Sequence, residues 1–232
     1  GFDAPDFDAF WEAGHVELPE LPAGEEYTQF ADFRADPDEH PLDTPSGKVE
    51  LFSETIAGFA LPDCPGLPTW ITPREWLGGA AQDELHLLSY QPPTRLHSQL
   101  DPGPIAAADK IEGREPIRLH PEDAAERGLA EGQVVRVFNA RGACLAGVRL
   151  DPGLMRGVAL LATGAWFDPL EPGVPGALCV HGNPNVLTPD LATSTLTQGL
   201  SAQSCLVRVE AWEGPLPPVR AHQPPRIEEI AA

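Results

Sequence analysis

Three short polar stretches carry the residue types that could bind a ligand. The first is Gln91-Pro92-Pro93-Thr94-Arg95-Leu96-His97-Ser98-Gln99, directly after the apolar run Leu85–Tyr90. Its two prolines stop that run and stiffen the exit. Arg95, His97, Ser98 and Gln99 then offer donors in quick succession, and a guanidinium can bond a phosphate through two parallel N–H groups. The second is Gly164-Ala165-Trp166-Phe167-Asp168-Pro169, whose adjacent aromatics can stack on a planar ring. The third runs from His181 to Asp190 (HGNPNVLTPD) and continues from Ser194 through Gln203. Asn183 and Asn185 each present a donor and an acceptor, which suits reading the edge of a heterocycle. Pro184 and Pro189 stiffen this loop and so lower the entropic cost of binding. Each stretch also has a plainer alternative: a solvated charged tip, core anchoring by Trp166, and an Asx-turn network that only shapes a long loop.

Catalytic machinery is not visible beside these groups. Nucleophile elbows, HExxH helices, P-loops and GxGxxG turns are all absent. The adjacent acids Glu122–Asp123 and Glu25–Glu26 point apart or into solvent, so no catalytic residue and no metal ligand is assigned. Cys64, Cys144, Cys179 and Cys205 form no CxxC and no zinc spacing with histidine. They read as reduced structural thiols, with Cys144 and Cys205 inside apolar runs.

The loops must be held by strands. Leu85–Tyr90, Pro116–His120, Gln133–Asn139, Ala143–Leu150, Gly157–Ala162 and Cys205–Glu210 read as six short strands. Arg141-Gly142 joins the third and fourth as a hairpin, and Pro121–Gly128 is a short helix with acids in its first turn. Six strands in so short a span point to a closed barrel, which leaves no free edges. No internal repeat is visible. The first 80 residues read differently. Asp6–Ala13 is a short helix ended by Gly14, residues 15–45 are rich in acids and proline, and Thr44–Gly47 and Asp63–Gly66 are turns. Lys48–Phe52 reads as a strand, Ser53 caps a helix over Glu54–Phe59, and Gly78-Gly79 is a boundary.

Composition bounds the rest. With 232 residues the chain can bury roughly 70–75% of its unfolded surface. Its 35 acids against 15 Lys and Arg give a formal charge of −20, which repels nucleic-acid backbones and anionic membranes. A phosphate held by local donors is still allowed, because short-range contacts outweigh a screened global field. No run of 18 apolar residues crosses a membrane, and no signal peptide is visible. The abrupt start at Gly1-Phe2-Asp3 reads as a cut edge.

The segments Thr44–Phe59, Thr94–Asp101, Gly113–Gly132 and His181–Gln203, in this order, resemble the C-terminal domain of the molybdopterin oxidoreductases. Among these the resemblance is to the biotin sulfoxide, trimethylamine N-oxide and dimethyl sulfoxide reductases. It is dispersed over residues 40–215. It implies a mainly β fold with short helices: a six-stranded double-psi β-barrel over 81–214, after an N-terminal α/loop extension from the preceding domain (1–80) and before a Pro-rich tail (215–232). The implied cofactor is molybdopterin guanine dinucleotide. The implied contacts are Gln91, Arg95, Leu96, His97, Ser98, Trp166, His181, Asn183, Asn185 and Gln198. In these roles Arg95 and His97 face phosphate or pterin oxygens, Ser98 donates a short bond, Asn183, Asn185 and Gln198 read a pterin or guanine edge, and Trp166 lines the pocket. Ala192-Thr193-Ser194 departs from a common Gly-Thr-Ser, and would be strained if that glycine has positive φ.

The resemblance implies a cofactor-binding part of an S- or N-oxide reductase, inactive alone, whose partners are the parent enzyme's N-terminal domains. The compartment is cytoplasm or periplasm, with the cytoplasm preferred. The alternatives are a stand-alone double-psi interaction module without cofactor and an independent nucleotide-binding domain.

Overall fold

The computed structural model describes residues 4–20 and 28–224. The start at Gly1–Asp3, the Glu25–Glu26 pair and the end of the Pro-rich tail, 225–232, lie outside the described residues. Contacts divide the chain into two compact units, Gly1–Glu54 and Thr55–Ala232.

In the first unit, α1 (Phe7–Ala13) starts where Asp6 accepts from the Ala9 N–H and ends at left-handed Gly14. A one-turn helix, α2 (Ala31–Ala35), follows within the acidic stretch. Lys48–Phe52 is not a strand. Side chains take up the neighbouring polar groups instead: Thr44 Oγ1 donates to the Lys48 carbonyl, and Glu50 accepts from the Ser46 N–H at 2.9 Å. The apolar alternation is present, but no partner strand lies beside it among the described residues. The turn at Thr44–Gly47 is as expected, with Gly47 N–H bonded to the Thr44 carbonyl.

The second unit is built on β1 (Leu85–Leu88), β2 (Pro116–Leu119), β3 (Val134–Phe138), β4 (Ala143–Leu150), β5 (Val158–Leu161) and β6 (Leu206–Ala211). They close in the order β1-β5-β2-β4-β3-β6. Around them lie α3 (Glu54–Gly58), α4 (Pro104–Asp109), which follows Asp101-Pro102-Gly103, and α5 (Pro121–Glu126), which opens on proline at its first turn. β1 and β6 alternate as a barrel wall must, β2, β3 and β5 do so over most of their length, and β4 is buried on both faces over 143–148. Leu85, Leu87, Ile117, Leu119, Val135, Val137, Ala146, Val148, Leu161 and Val207 fill the interior. Each buried Val, Leu or Ile contributes about 1.5–3 kcal/mol relative to exposure.

The pairing pattern repeats within the barrel. β1 with β5 and β2 with β4 are parallel; β1–β6, β2–β5, β3–β4 and β3–β6 are antiparallel. Advancing every strand by three maps this set onto itself. The chain therefore contains two interlocked three-strand halves, each with one parallel crossover, and this is the double-psi β-barrel. The repeat has no sequence counterpart because only buried alternation and pairing are shared, while the connections differ in length and chemistry.

Candidate functional site

The parallel pair β1 and β5, in register at Leu87 and Ala159, fixes where two of the polar loops emerge. Chains running the same way leave by the same end, so the loops after β1 (from Gln91) and after β5 (from Gly164) start side by side. Their backbones then touch. A Cβ on Gly164, whose φ is +91°, would lie 1.8 Å from the His97 carbonyl oxygen, so only glycine fits. Trp166 Nε1 donates to the Ser98 carbonyl at 2.9 Å. Gln91 braces the first loop from within by donating to the Arg95 carbonyl.

Arg95 points inward, not toward solvent, and its side chain is 1% exposed. It donates to the carbonyls of His97 and Thr163 and pairs with Glu115 at 3.1 Å and Asp101 at 3.6 Å. Lys110 bridges the same two carboxylates at 2.8 and 3.0 Å. The four buried charges cancel. Burial alone would raise the Asp101 carboxyl, but hydrogen bonds from Lys110 and His222 and the Lys110 charge hold it below its ordinary value. The sequence reading had Arg95 facing phosphate or pterin oxygens; its guanidinium is engaged by these internal partners. It supports from beneath a turn whose outer surface carries exposed Leu96, His97, Ser98 and Gln99.

His181 is likewise buried. Its Nδ1 lies 2.9 Å from the Trp166 carbonyl, and its Nε2 has no partner among the described residues. Burial first, then the Lys110 charge, push its pKa down to about 4, so the ring is neutral at pH 7. Trp166 is not core: it is 42% exposed and packs edge-on against His222.

The third loop is carried by the β3–β4 hairpin tip. Asn139 donates to the Leu187 carbonyl at 2.8 Å, and so does Arg141, at 2.6 Å. Gly142 admits the loop, because a Cβ there would meet the Val186 carbonyl oxygen at 2.6 Å. Arg141 is itself held by Glu75, which also accepts from the Leu206 N–H. Asn183 spends its side-chain oxygen on the Asn185 N–H, capping the 3-10 turn Pro184–Val186. Asn185 is exposed, and its amide makes no hydrogen bond among the described residues. Gln198 is exposed at the end of a small hairpin, where Ala192 bridges Leu200, and Asp63 anchors the hairpin through both donors of Thr195. Ala192 does not have positive φ, so the strain anticipated there is absent.

Asn185 lines a cleft of about 380 Å³ together with Phe167, Thr188, Asp190, Arg141 and the Gly176 backbone. Phe167 and Asp190 were missed as site residues. Phe167 was overshadowed by its neighbour Trp166, and Asp190 looked like one surface acid among many. The second loop thus touches both neighbours, Trp166 bonding to the first and Phe167 facing the third. A larger groove of about 660 Å³ on the barrel wall is lined by charges already paired, Arg208 with Asp83 and Glu84 among them.

The donor set fits a dinucleotide. A planar base is served by the Phe167 ring, the free Asn185 amide and the Asp190 carboxylate, and the exposed donors of His97, Ser98 and Gln99 suit phosphate oxygens. A family profile described as "Molydopterin dinucleotide binding domain" matches residues 85–206. The chain is 50% identical over 213 residues to a biotin sulfoxide reductase of Cereibacter sphaeroides, covering 92% of this chain and 28% of the relative. It is 41% identical over 230 residues to a dimethyl sulfoxide/trimethylamine N-oxide reductase of Rhodobacter capsulatus, covering 99% and 28%. In fold it is similar to the acetylene hydratase of Pelobacter acetylenicus, with a TM-score of 0.60 and 23% identity over 76% of this chain and 25% of that one. The chain spans a little over a quarter of the length of these curated relatives.

Proposed function

This chain belongs to the molydopterin dinucleotide binding domain family, and from that premise we propose that it works as the C-terminal cofactor-holding part of a longer S- or N-oxide reductase. The guanine form of the cofactor is the one the cleft favours. Guanine presents N1–H and N2–H donors with an O6 acceptor on one edge. Asp190 takes the two donors, the Asn185 amide answers the acceptor, and Phe167 covers the ring. His97, Ser98 and Gln99 receive the diphosphate on a turn that Arg95 fixes from below, and Gln198 contributes from the outer hairpin. The observation that carries this reading is the Asn185 amide, free and exposed in a cleft whose other walls are already braced.

When bound, the cofactor supplies the metal that accepts the substrate oxygen. This chain's residues hold and orient it. His97, Ser98, Asn185 and Asp190 serve here as hydrogen-bonding partners of the cofactor, and the chain alone is expected to reduce no oxide.

The test is to express the chain in cells that make the cofactor, purify it, and release the bound nucleotide by acid hydrolysis. Guanosine monophosphate in stoichiometric yield, with no oxide reductase turnover, is expected. Cytidine monophosphate would overturn the guanine assignment, and turnover by the chain alone would overturn the claim that it only holds the cofactor.

A further inference from the structure

After β6 the chain returns across the loop end of the barrel as a strap, residues 215–224. It is tied down at several points. Asp168 accepts from the backbone N–H groups of Arg220 and Ala221, and Arg220 donates to the carbonyls of Pro169 and Leu170. Buried Arg114 donates to the Pro217 carbonyl. These anchors set His222 against His181, ring centroids 4.9 Å apart and nearly perpendicular, with its Nε2 2.8 Å from Asp101 Oδ2.

We propose that Asp101, His181 and His222 form a site for a borderline divalent cation of the zinc class, clamping the strap to the barrel. One ligand atom from each residue lies within 4.8 Å of the other two. A tetrahedral ion with ligands at about 2.1 Å spaces them about 3.4 Å apart, so the donors need to draw in by about 1.4 Å at most.

Two features point to a ligand rather than to a simple polar contact. The first is His181. With Nδ1–H donating to the Trp166 carbonyl, Nε2 is left as a bare lone pair, fully buried and without a partner. A ligating histidine is characteristically held this way, its other nitrogen fixed by a backbone carbonyl. The second is Asp101. Lys110 and Arg95 occupy Oδ1, which leaves Oδ2 2.8 Å from His222 Nε2, 3.9 Å from the His181 ring at Nδ1 and 3.3 Å from the Trp166 N–H.

Two imidazoles and one carboxylate suit zinc, cobalt or nickel and leave a coordination position for water. Calcium and magnesium, which take oxygen ligands, are not suited. The buried charges of Arg95, Lys110, Asp101 and Glu115 already cancel. The ion's charge is therefore uncompensated locally, which weakens binding relative to a site whose carboxylate is unpaired. The route in passes His222, whose side chain is 26% exposed. The site shares Asp101 with the ion cluster beneath the first loop, but its test does not depend on the cofactor reading.

Cobalt(II) titrated into the chelator-treated 232-residue chain tests this. One equivalent should bind with a dissociation constant of about 10 µM and a visible d–d absorption band. His222→Ala, at the partly exposed end of the strap, should leave the far-ultraviolet circular dichroism unchanged. It should weaken binding by roughly tenfold or more and remove the band. Binding and band unchanged in His222→Ala would place the ion elsewhere and overturn the proposal, as would no band at about 100 µM cobalt.

Discussion

The barrel's pseudo-symmetry sets up a comparison between its two parallel strand pairs. Beyond β1 and β5 the chain makes long excursions, 89–115 and 162–205. Beyond β2 and β4 it makes only α5 with a short link and the turn 151–157. Both pairs tie their outgoing segments together with ions. In the plain half Asp123 accepts from Arg156 Nε at 2.6 Å and from the Gly157 N–H at 2.7 Å, and Arg156 also reaches Glu126 across partly exposed surface. In the elaborated half the ions are buried: Arg95 and Lys110 against Asp101 and Glu115. The same topology therefore carries two jobs. The plain half closes the barrel cheaply, and the other half holds a rigid polar platform whose outward groups are free.

If that division is right, the largest effect belongs to the buried ions. Arg95→Ala leaves two buried carboxylates with Lys110 as their one shared cation and should cost about 3–5 kcal/mol in a urea unfolding curve. Next is the contact between the two loops. Gly164→Ala forces a Cβ into the His97 carbonyl at positive φ, and should cost about 2–3 kcal/mol while weakening cofactor binding as well.

The plain half should respond less and should show itself in acid. Burial alone would raise the Asp123 carboxyl, but the bonds from Arg156 and Gly157 outweigh it and hold its pKa down. A carboxylate depressed in the folded state stabilises fully above its unfolded value, near ~3.9, and loses that contribution as pH falls through the lower folded value. Asp123→Asn should therefore cost about 1–2 kcal/mol at pH 7 and flatten the stability profile in that acid window. The smallest effect on stability is expected at Asn185. Asn185→Ala should stay within about 0.5 kcal/mol of the parent yet bind cofactor roughly tenfold more weakly, measured by titration calorimetry.

The barrel was legible because alternation survives in most strands: Val135 and Val137 against Arg136, or Ile117 and Leu119 against Arg118. Lys48–Phe52 shows the limit, since alternation without a partner gives no strand. The three loops were legible as chemistry, but the direction in which their side chains point was not. Arg95 and His181 read as ligand contacts because charge and imidazole usually face solvent. Both turn inward because Asp101, Lys110 and Glu115, which also look like surface residues, are folded beneath the loops. Asn183 followed its plainer reading, as the cap of a turn, while Asn185, two residues on, is free. Spacing alone cannot separate two asparagines of which one is spent on the backbone.

The central claim is that this chain by itself holds a molybdopterin dinucleotide on its β1, β5 and hairpin-tip loops. Anaerobic titration of the purified chain with molybdopterin guanine dinucleotide, read by pterin fluorescence, tests it most directly. Saturable one-to-one binding at about 10 µM or tighter, weakened by Asn185→Ala, is the expected result. No saturation by about 100 µM, in a chain whose barrel is folded, would contradict it.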